Sequence, residues 1–154
     1  MSKTFIVVSI LAVIVILLAI AALYLRPFNS GAIKKNLTVG SQTFEVGIAD
    51  NAVTRTKGLS GRPSLAEKEG LYFIFSSPGN NGFWMKDMNF PIDIVWINGD
   101  KVIGFSENLQ PEPNKSIFSL PVYYPPGAVD KVLEINAGAV AKYGLQAGDA
   151  VNLQ

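Results

Sequence analysis

Phe83-Trp84-Met85-Lys86-Asp87-Met88-Asn89-Phe90-Pro91-Ile92-Asp93-Ile94-Val95-Trp96-Ile97-Asn98-Gly99 holds both tryptophans and two of the three methionines of a 154-residue chain. Its second half decides the fold. Ile92–Ile97 is rich in β-branched and aromatic residues, and it runs into Asn98-Gly99, the pair most favourable to a two-residue hairpin turn. Lys101–Glu107 then pairs back across that turn. Pro91 separates the strand from Phe83–Lys86. If that first piece is extended, Trp84 and Lys86 share one face while Phe83 and Met85 share the other. Large rings beside a few charges suit a lined cleft and a tightly packed β core alike.

Upstream, Leu71-Tyr72-Phe73-Ile74-Phe75 is apolar on both faces, as a central strand must be. Ser76–Gly82 then reads as a long turn of the kind that borders a binding face. Earlier still, Leu37–Val39 and Thr43–Ile48 alternate apolar and polar residues across Gly40-Ser41, the pattern of a half-buried hairpin. Asp50 or Asn51 caps a short helix through about Leu59, with Gly58 and Gly61 as stops. Ser64-Leu65-Ala66-Glu67 fits a capping box that opens one helical turn. Downstream, Gln110–Asn114 is a rigid loop, and Pro121, Pro125 and Pro126 punctuate a second irregular piece. Lys131–Ile135 is a strand, Ala137–Tyr143 a short helix stopped by Gly144, and Ala150–Leu153 a closing strand. No βαβ rhythm, repeat or heptad is visible. The expected fold is mainly β: a compact antiparallel sandwich or partly closed barrel with short helices.

A separate segment precedes this domain. Phe5–Leu25 carries no charge, and as a helix it would span about 31 Å, the thickness of a hydrocarbon core. Tyr24 and Phe28 fall where interfacial aromatics belong. Residues 1–26 therefore read as one N-terminal transmembrane anchor or signal segment, 27–36 as a linker, and 37–154 as a single β-rich domain. The apolar run outlasts the small-x-small pattern Ala19-Ile20-Ala21, which favours an uncleaved anchor over cleavage near Ala21. A short N-terminus before a long domain favours export, so the domain is expected outside the cytoplasm. The membrane is thus one expected partner, through Phe5–Leu25.

Composition excludes much chemistry. Thirteen Lys/Arg against twelve Asp/Glu give a net charge of +1, with no basic field to hold nucleic acid. The chain has no cysteine and no histidine. Disulfides, thiolate or Ser-His-Asp catalysis, and Cys- or His-ligated metals are therefore out of reach. There is no phosphate loop, nucleophile elbow or calcium loop. No metal and no cofactor is expected.

The order of motifs resembles a known family. Arg55-x-x-Gly58-Leu59-x-x-Arg62 is followed by Gly70-Leu71-x-Phe73-x-Phe75, Phe83-Trp84-Met85-Lys86 and Pro91-Ile92-Asp93-Ile94. Val132-Leu133-Glu134-Ile135, Ala137-Gly138 and Gly144-x-x-x-Gly148-Asp149 complete it. This is similar to the family catalogued as domain of unknown function 192, over roughly residues 40–154. Ser60 departs from the methionine common there. The resemblance implies a compact, mainly-β domain, often exported in bacteria, and no reaction.

Five residues stand out as candidates. Asp93 shares a strand face with Val95 and Ile97, where a carboxylate must be partnered or raised in pKa by desolvation. Arg55, whose planar fork suits a carboxylate, is its expected partner, with Lys86 next and backbone amides near Pro91 as the alternative. Trp84, Lys86 and Asn89, with the Asn80-Asn81-Gly82 loop, would line a cleft for a small polar ligand such as a sugar or peptide. Glu134 and Asp149 sit at strand ends, where turns need acceptors, and read as structural. The favoured function is an exported or membrane-anchored module that binds a small ligand or a partner. One alternative is a carboxylate-dependent enzyme using Asp93 with Lys86 or Arg55. Another is a membrane-tethered assembly or interaction protein. The sequence does not specify the oligomeric state.

Overall fold

The computed structural model describes Phe5, residues 12–16, 34–113 and 115–154. The chain divides into two units, Met1–Gly31 and Ala32–Gln154. In the first, Phe5 and residues 12–16 are helical. Among the described residues no helix is long and apolar enough to cross a membrane. The rest of the expected Phe5–Leu25 span, the cleavage pattern at Ala19–Ala21 and the linker up to residue 33 lie outside the described residues.

In the second unit the elements are β1 (Lys35–Val39), β2 (Gln42–Ala49), α1 (Ala52–Lys57), β3 (Glu69–Gly79), β4 (Ile92–Asn98) and β5 (Lys101–Leu109). They continue with a 3-10 turn (Ile117–Ser119), β6 (Val129–Asn136), α2 (Ala139–Tyr143) and β7 (Val151–Leu153). The strands form one seven-stranded sheet in the order β5-β4-β6-β3-β2-β1-β7. Its two ends approach each other, because Lys101 at the start of β5 bridges Ala150 just before β7. The amide of Val102 donates to Asp149 O at 3.0 Å and that of Val151 to Asp100 O at 2.8 Å. The expectation of a partly closed barrel therefore holds, and a sandwich of two sheets does not form.

The hairpins follow from their turns. β1 and β2 pair antiparallel from Lys35↔Val46 to Val39↔Gln42 around Gly40, whose φ is +58°. β4 and β5 pair to Asn98↔Lys101, so Gly99-Asp100 occupies the turn, one residue later than Asn98-Gly99 predicts. Gly99 takes the positive φ (+61°) that such a turn demands.

Two expectations fail for physical reasons. β2 and β3 are parallel, from Glu45↔Glu69 to Ala49↔Phe73, so one crossover through α1 interrupts the antiparallel pattern. It escaped the sequence reading because α1 has only six residues and buries none of them, leaving no helical period to detect. The helical turn expected at Ser64–Glu67 is also missing. Asn136 Nδ2 donates to both Leu65 O and Ala66 O at 3.0 Å, which engages the carbonyls a helix would have used. The reading of α1 itself holds: Asn51 and Thr54 form a reciprocal capping box, and Gly58 ends the helix.

Side-chain alternation fills both faces of the sheet. Leu37, Val39, Phe44, Val46, Val95, Ile97, Leu133 and Val151 share one core. Strands from opposite ends of the sheet order contribute to it, so this is the enclosed, concave face. Phe73, Ile92, Ile94, Trp96 and Val132 lie in a second core with Leu59, Leu65, Met85 and Met88 from two overlying loops. Those loops are tied together: Gly61 N donates to Asp87 O at 2.8 Å and Ser60 Oγ to Lys86 O at 2.7 Å.

Candidate functional site

Asp93 belongs to the enclosed core and is fully buried. Its Oδ1 accepts from Asn108 N at 2.8 Å and its Oδ2 from Val140 N at 3.0 Å. Asn108 takes a positive φ of 54°, a rare conformation for a residue other than glycine, and so turns its amide into the carboxylate. Val140 lies in the first turn of α2. Asp93 thus joins a β4 strand to the end of β5 and to α2. The expected contact with Arg55 does not form, nor does the contact with Lys86. Arg55 Nη1 donates to Asp50 O at 2.7 Å and Ile74 O at 2.8 Å, and its guanidinium lies 5.2 Å from the centroid of Phe75. Lys86 pairs with its neighbour Asp87 at 3.0 Å in an exposed bridge, an interaction of little energetic weight. Asn89 Nδ2 donates to Arg62 O at 2.9 Å. Backbone amides do hold Asp93, but they come from Asn108 and Val140 and not from residues near Pro91.

On the opposite face of the sheet, a cleft of about 230 Å³ opens beneath α1 and the loop that follows it. Arg55, Phe73, Phe75, Phe83 and Trp84 are among its walls, and Glu134 lies within it. Phe83 is fixed edge-on between two core rings, 5.0 Å from Phe73 and 5.5 Å from Trp96. A single bridge with Tyr123 anchors its backbone, since Phe83–Lys86 is not a strand. Trp84 is 46% exposed at the mouth. Of the five residues singled out from sequence, Arg55 and Trp84 share this cleft. Lys86 and Trp84 share an adjoining open groove with Val53 and Ile117. Asn89 lines a separate hollow, and Asp93 lines none of these.

The residue that sequence reasoning missed is Glu134. It sits in β6 between Leu71 of β3 and Ile94 of β4, on the same face as Val132. It is buried, and its Oε2 has no hydrogen-bond partner among the described residues. Burial pushes its carboxyl up to about 8, with the Arg62 charge pulling the other way. An ionised carboxylate in such a place would be costly, so the group holds its proton. Gly58, at a φ of +52°, faces the carboxyl: a Cβ there would come into ordinary contact with Oε2 at 3.9 Å. The available signal was Val132-x-Glu134, a carboxylate in register with core positions of an apolar strand. Reading Glu134 as a strand-end acceptor hid it.

The pH dependence follows from the sign of the shift. The folded-state pKa lies above that of the unfolded chain, so the native state binds more protons between about 4.5 and 8. This contribution to stability is complete below about 4.5 and is lost as pH rises through 8. Glu134→Gln should flatten the dependence. Urea unfolding at pH 5 and pH 8.5 should show the native protein losing on the order of a few kcal/mol more than the variant. Equal losses would mean that Glu134 is ionised and solvated.

Comparison with known proteins bears on the same region. The sequence model of domain of unknown function 192, described as an uncharacterized ACR, matches residues 35–153. No curated protein matches the chain. Among solved structures, a protein of unknown function from Novosphingobium aromaticivorans is similar at 28% identity and a TM-score of 0.73, covering 81% of this chain and 89% of its own. A Sinorhizobium meliloti protein described as a candidate transcription regulator is similar at 24% identity and a TM-score of 0.72. That match covers 79% of this chain and 95% of the other. These likenesses show the fold.

Proposed function

Because the chain belongs to the family domain of unknown function 192, which brings a fold and no reaction, we propose a function from the cleft itself: a module that binds a small ligand over Glu134. The observation that carries this is the unpartnered, buried Oε2 in an aromatic-walled cavity. Buried polar atoms are almost always satisfied, and an orphan facing a cavity is the expected mark of a missing partner. The walls supply apolar and ring contacts, so the ligand is small, largely apolar, and carries one polar group for Glu134. The carboxylate-enzyme alternative based on Asp93 draws no support from this geometry, since both oxygens of Asp93 are engaged by amides on the other face.

A thermal-shift screen against sugars, short peptides and small metabolites tests the proposal, because a ligand that binds only the native state raises the melting temperature. Hits should lose most of their effect in Trp84→Ala and Glu134→Leu. Hits insensitive to both variants would move the site elsewhere. A second reading, a docking face for another protein, is favoured by the exposed Val53, Trp84 and Ile117 around the adjoining groove. Its mark would be stabilisation by a macromolecule that Val53→Glu and Ile117→Glu abolish.

We also propose that the uncharged Phe5–Leu25 run holds the module at a membrane, with the domain outside the cytoplasm. Its length and lack of charge support this. The chain should resist alkaline extraction from membranes and be digested by protease added to spheroplasts. Release by alkali would remove the anchor from the proposal.

A further inference from the structure

We infer that the Glu134 cleft selects a small organic anion, a carboxylate carried on an apolar or aromatic body. This rests on the reading of the cleft as a ligand site and names the class of ligand. The charges facing the cleft decide it. Arg55 and Lys57 line the cavity from α1, and among the described residues that line it Glu134 alone is acidic. Arg62, from the loop after α1, adds a third positive charge acting on Glu134. Among the described residues Arg55 contacts two carbonyls and a ring, and forms no ion pair with a carboxylate. A ligand cation would meet the Arg55 guanidinium with repulsion, whereas an anion would supply the ion pair that Arg55 lacks among the described residues.

The protonation of Glu134 points the same way. A carboxyl that retains its proton presents an O–H, and an O–H needs an acceptor. A carboxylate oxygen is the strongest acceptor of that kind, and the resulting bond is charge-assisted. Among the described residues none supplies such an acceptor to Oε2. Size restricts the body of the ligand. A cavity of about 230 Å³ exceeds the roughly 150 Å³ that accommodates a benzene ring in an apolar protein interior. A single ring or a short branched chain fits, with Phe73, Phe75 and Phe83 against its apolar part and Trp84 at the open end.

Calorimetric titration of the full chain, in a nonionic detergent, with phenylacetate, benzylamine and benzyl alcohol tests this. Phenylacetate should bind at pH 6 and about tenfold more weakly at pH 9, because one unit above a pKa of about 8 only about a tenth of the carboxyl keeps its proton. Benzylamine should bind more weakly than benzyl alcohol at pH 6, where Glu134 is protonated and the cleft presents only positive charge. Glu134→Gln keeps an N–H donor and should bind phenylacetate with equal affinity at pH 6 and pH 9. Arg55→Ala should weaken phenylacetate at least fivefold more than it weakens benzyl alcohol. Tighter binding of benzylamine than of phenylacetate at pH 6 overturns the inference, as does pH-independent binding of phenylacetate by the native chain. If benzyl alcohol binds and Trp84→Ala abolishes that binding while phenylacetate fails, the anion class is wrong and the ligand site stands. If none of the three binds, the inference falls, and the broader screen decides the site.

Discussion

Trp96→Ala should cost about 3–5 kcal/mol of stability, the range for deleting a large aromatic side chain from a packed core. Trp96 is fully buried, its Nε1 donates to Ser106 Oγ at 3.1 Å, and its ring meets Phe83 edge-on at 5.5 Å. The cost has three sources: lost apolar burial, the cavity left behind, and the loss of the part-buried bond to Ser106. The indole of Trp96 also supports Phe83, a wall of the cleft, so a milder Trp96→Phe should weaken ligand binding while the domain remains folded. Denaturant melts give the first quantity and titration of the folded variant the second. A loss below about 1 kcal/mol would contradict the burial of the ring.

The second large effect belongs to Asp93. Asp93→Ala removes the acceptor from two amides at once, the buried one of Val140 and the part-buried one of Asn108. Bonds to a charged acceptor contribute about 1.5–3 kcal/mol each, so a total near 3–5 kcal/mol is expected. Asp93→Asn should recover little, because the amide turns an N–H₂ toward one of the two donors. Arg55 is not a partner of Asp93, so a double-mutant cycle of Asp93→Asn and Arg55→Ala should give a coupling below about 0.5 kcal/mol. A coupling above about 1 kcal/mol would restore the ion pair that sequence reasoning expected.

These two residues mark what could be read from the chain. Ile92–Ile97 announced a strand and its hairpin because β-branched content, alternation and Gly99 all point the same way, and the structure agrees to within one residue of the turn. Burial of Asp93 was legible for the same reason: strand alternation places it among apolar neighbours. Its partners were not legible. The amides of Asn108 and Val140 reach it through a left-handed residue and a five-residue helix, features with no side-chain signature. Backbone donors are present at every position, so composition cannot say which one is aimed. Arg55 was the more visible cation and drew the assignment wrongly. Glu134 failed in the opposite way. Its strand was recognised, yet its place beside Leu71 and Ile94 depends on β6 lying between β3 and β4, an order of strands that local pattern does not encode.

The pairing of the first strand with the last bears on how fast the domain folds. β1 pairs with β7 from Leu37↔Leu153 to Val39↔Val151, and Gln154 N donates to Asn36 O at 2.8 Å. More than a hundred residues separate these partners along the chain, whereas the β1–β2 and β4–β5 hairpins join near neighbours. Loop closure is entropically costly before the contacts it permits can compensate, so the hairpins form early and β7 docks on β1 last. A sheet dominated by such distant pairings belongs with the millisecond-to-second folders. Until β7 docks, the inward faces of Leu37 and Val39 lack their cover and β1 keeps an unpaired edge. The partly folded chain therefore passes through a stage prone to association, and substitutions in Val151–Leu153 would act first on refolding yield.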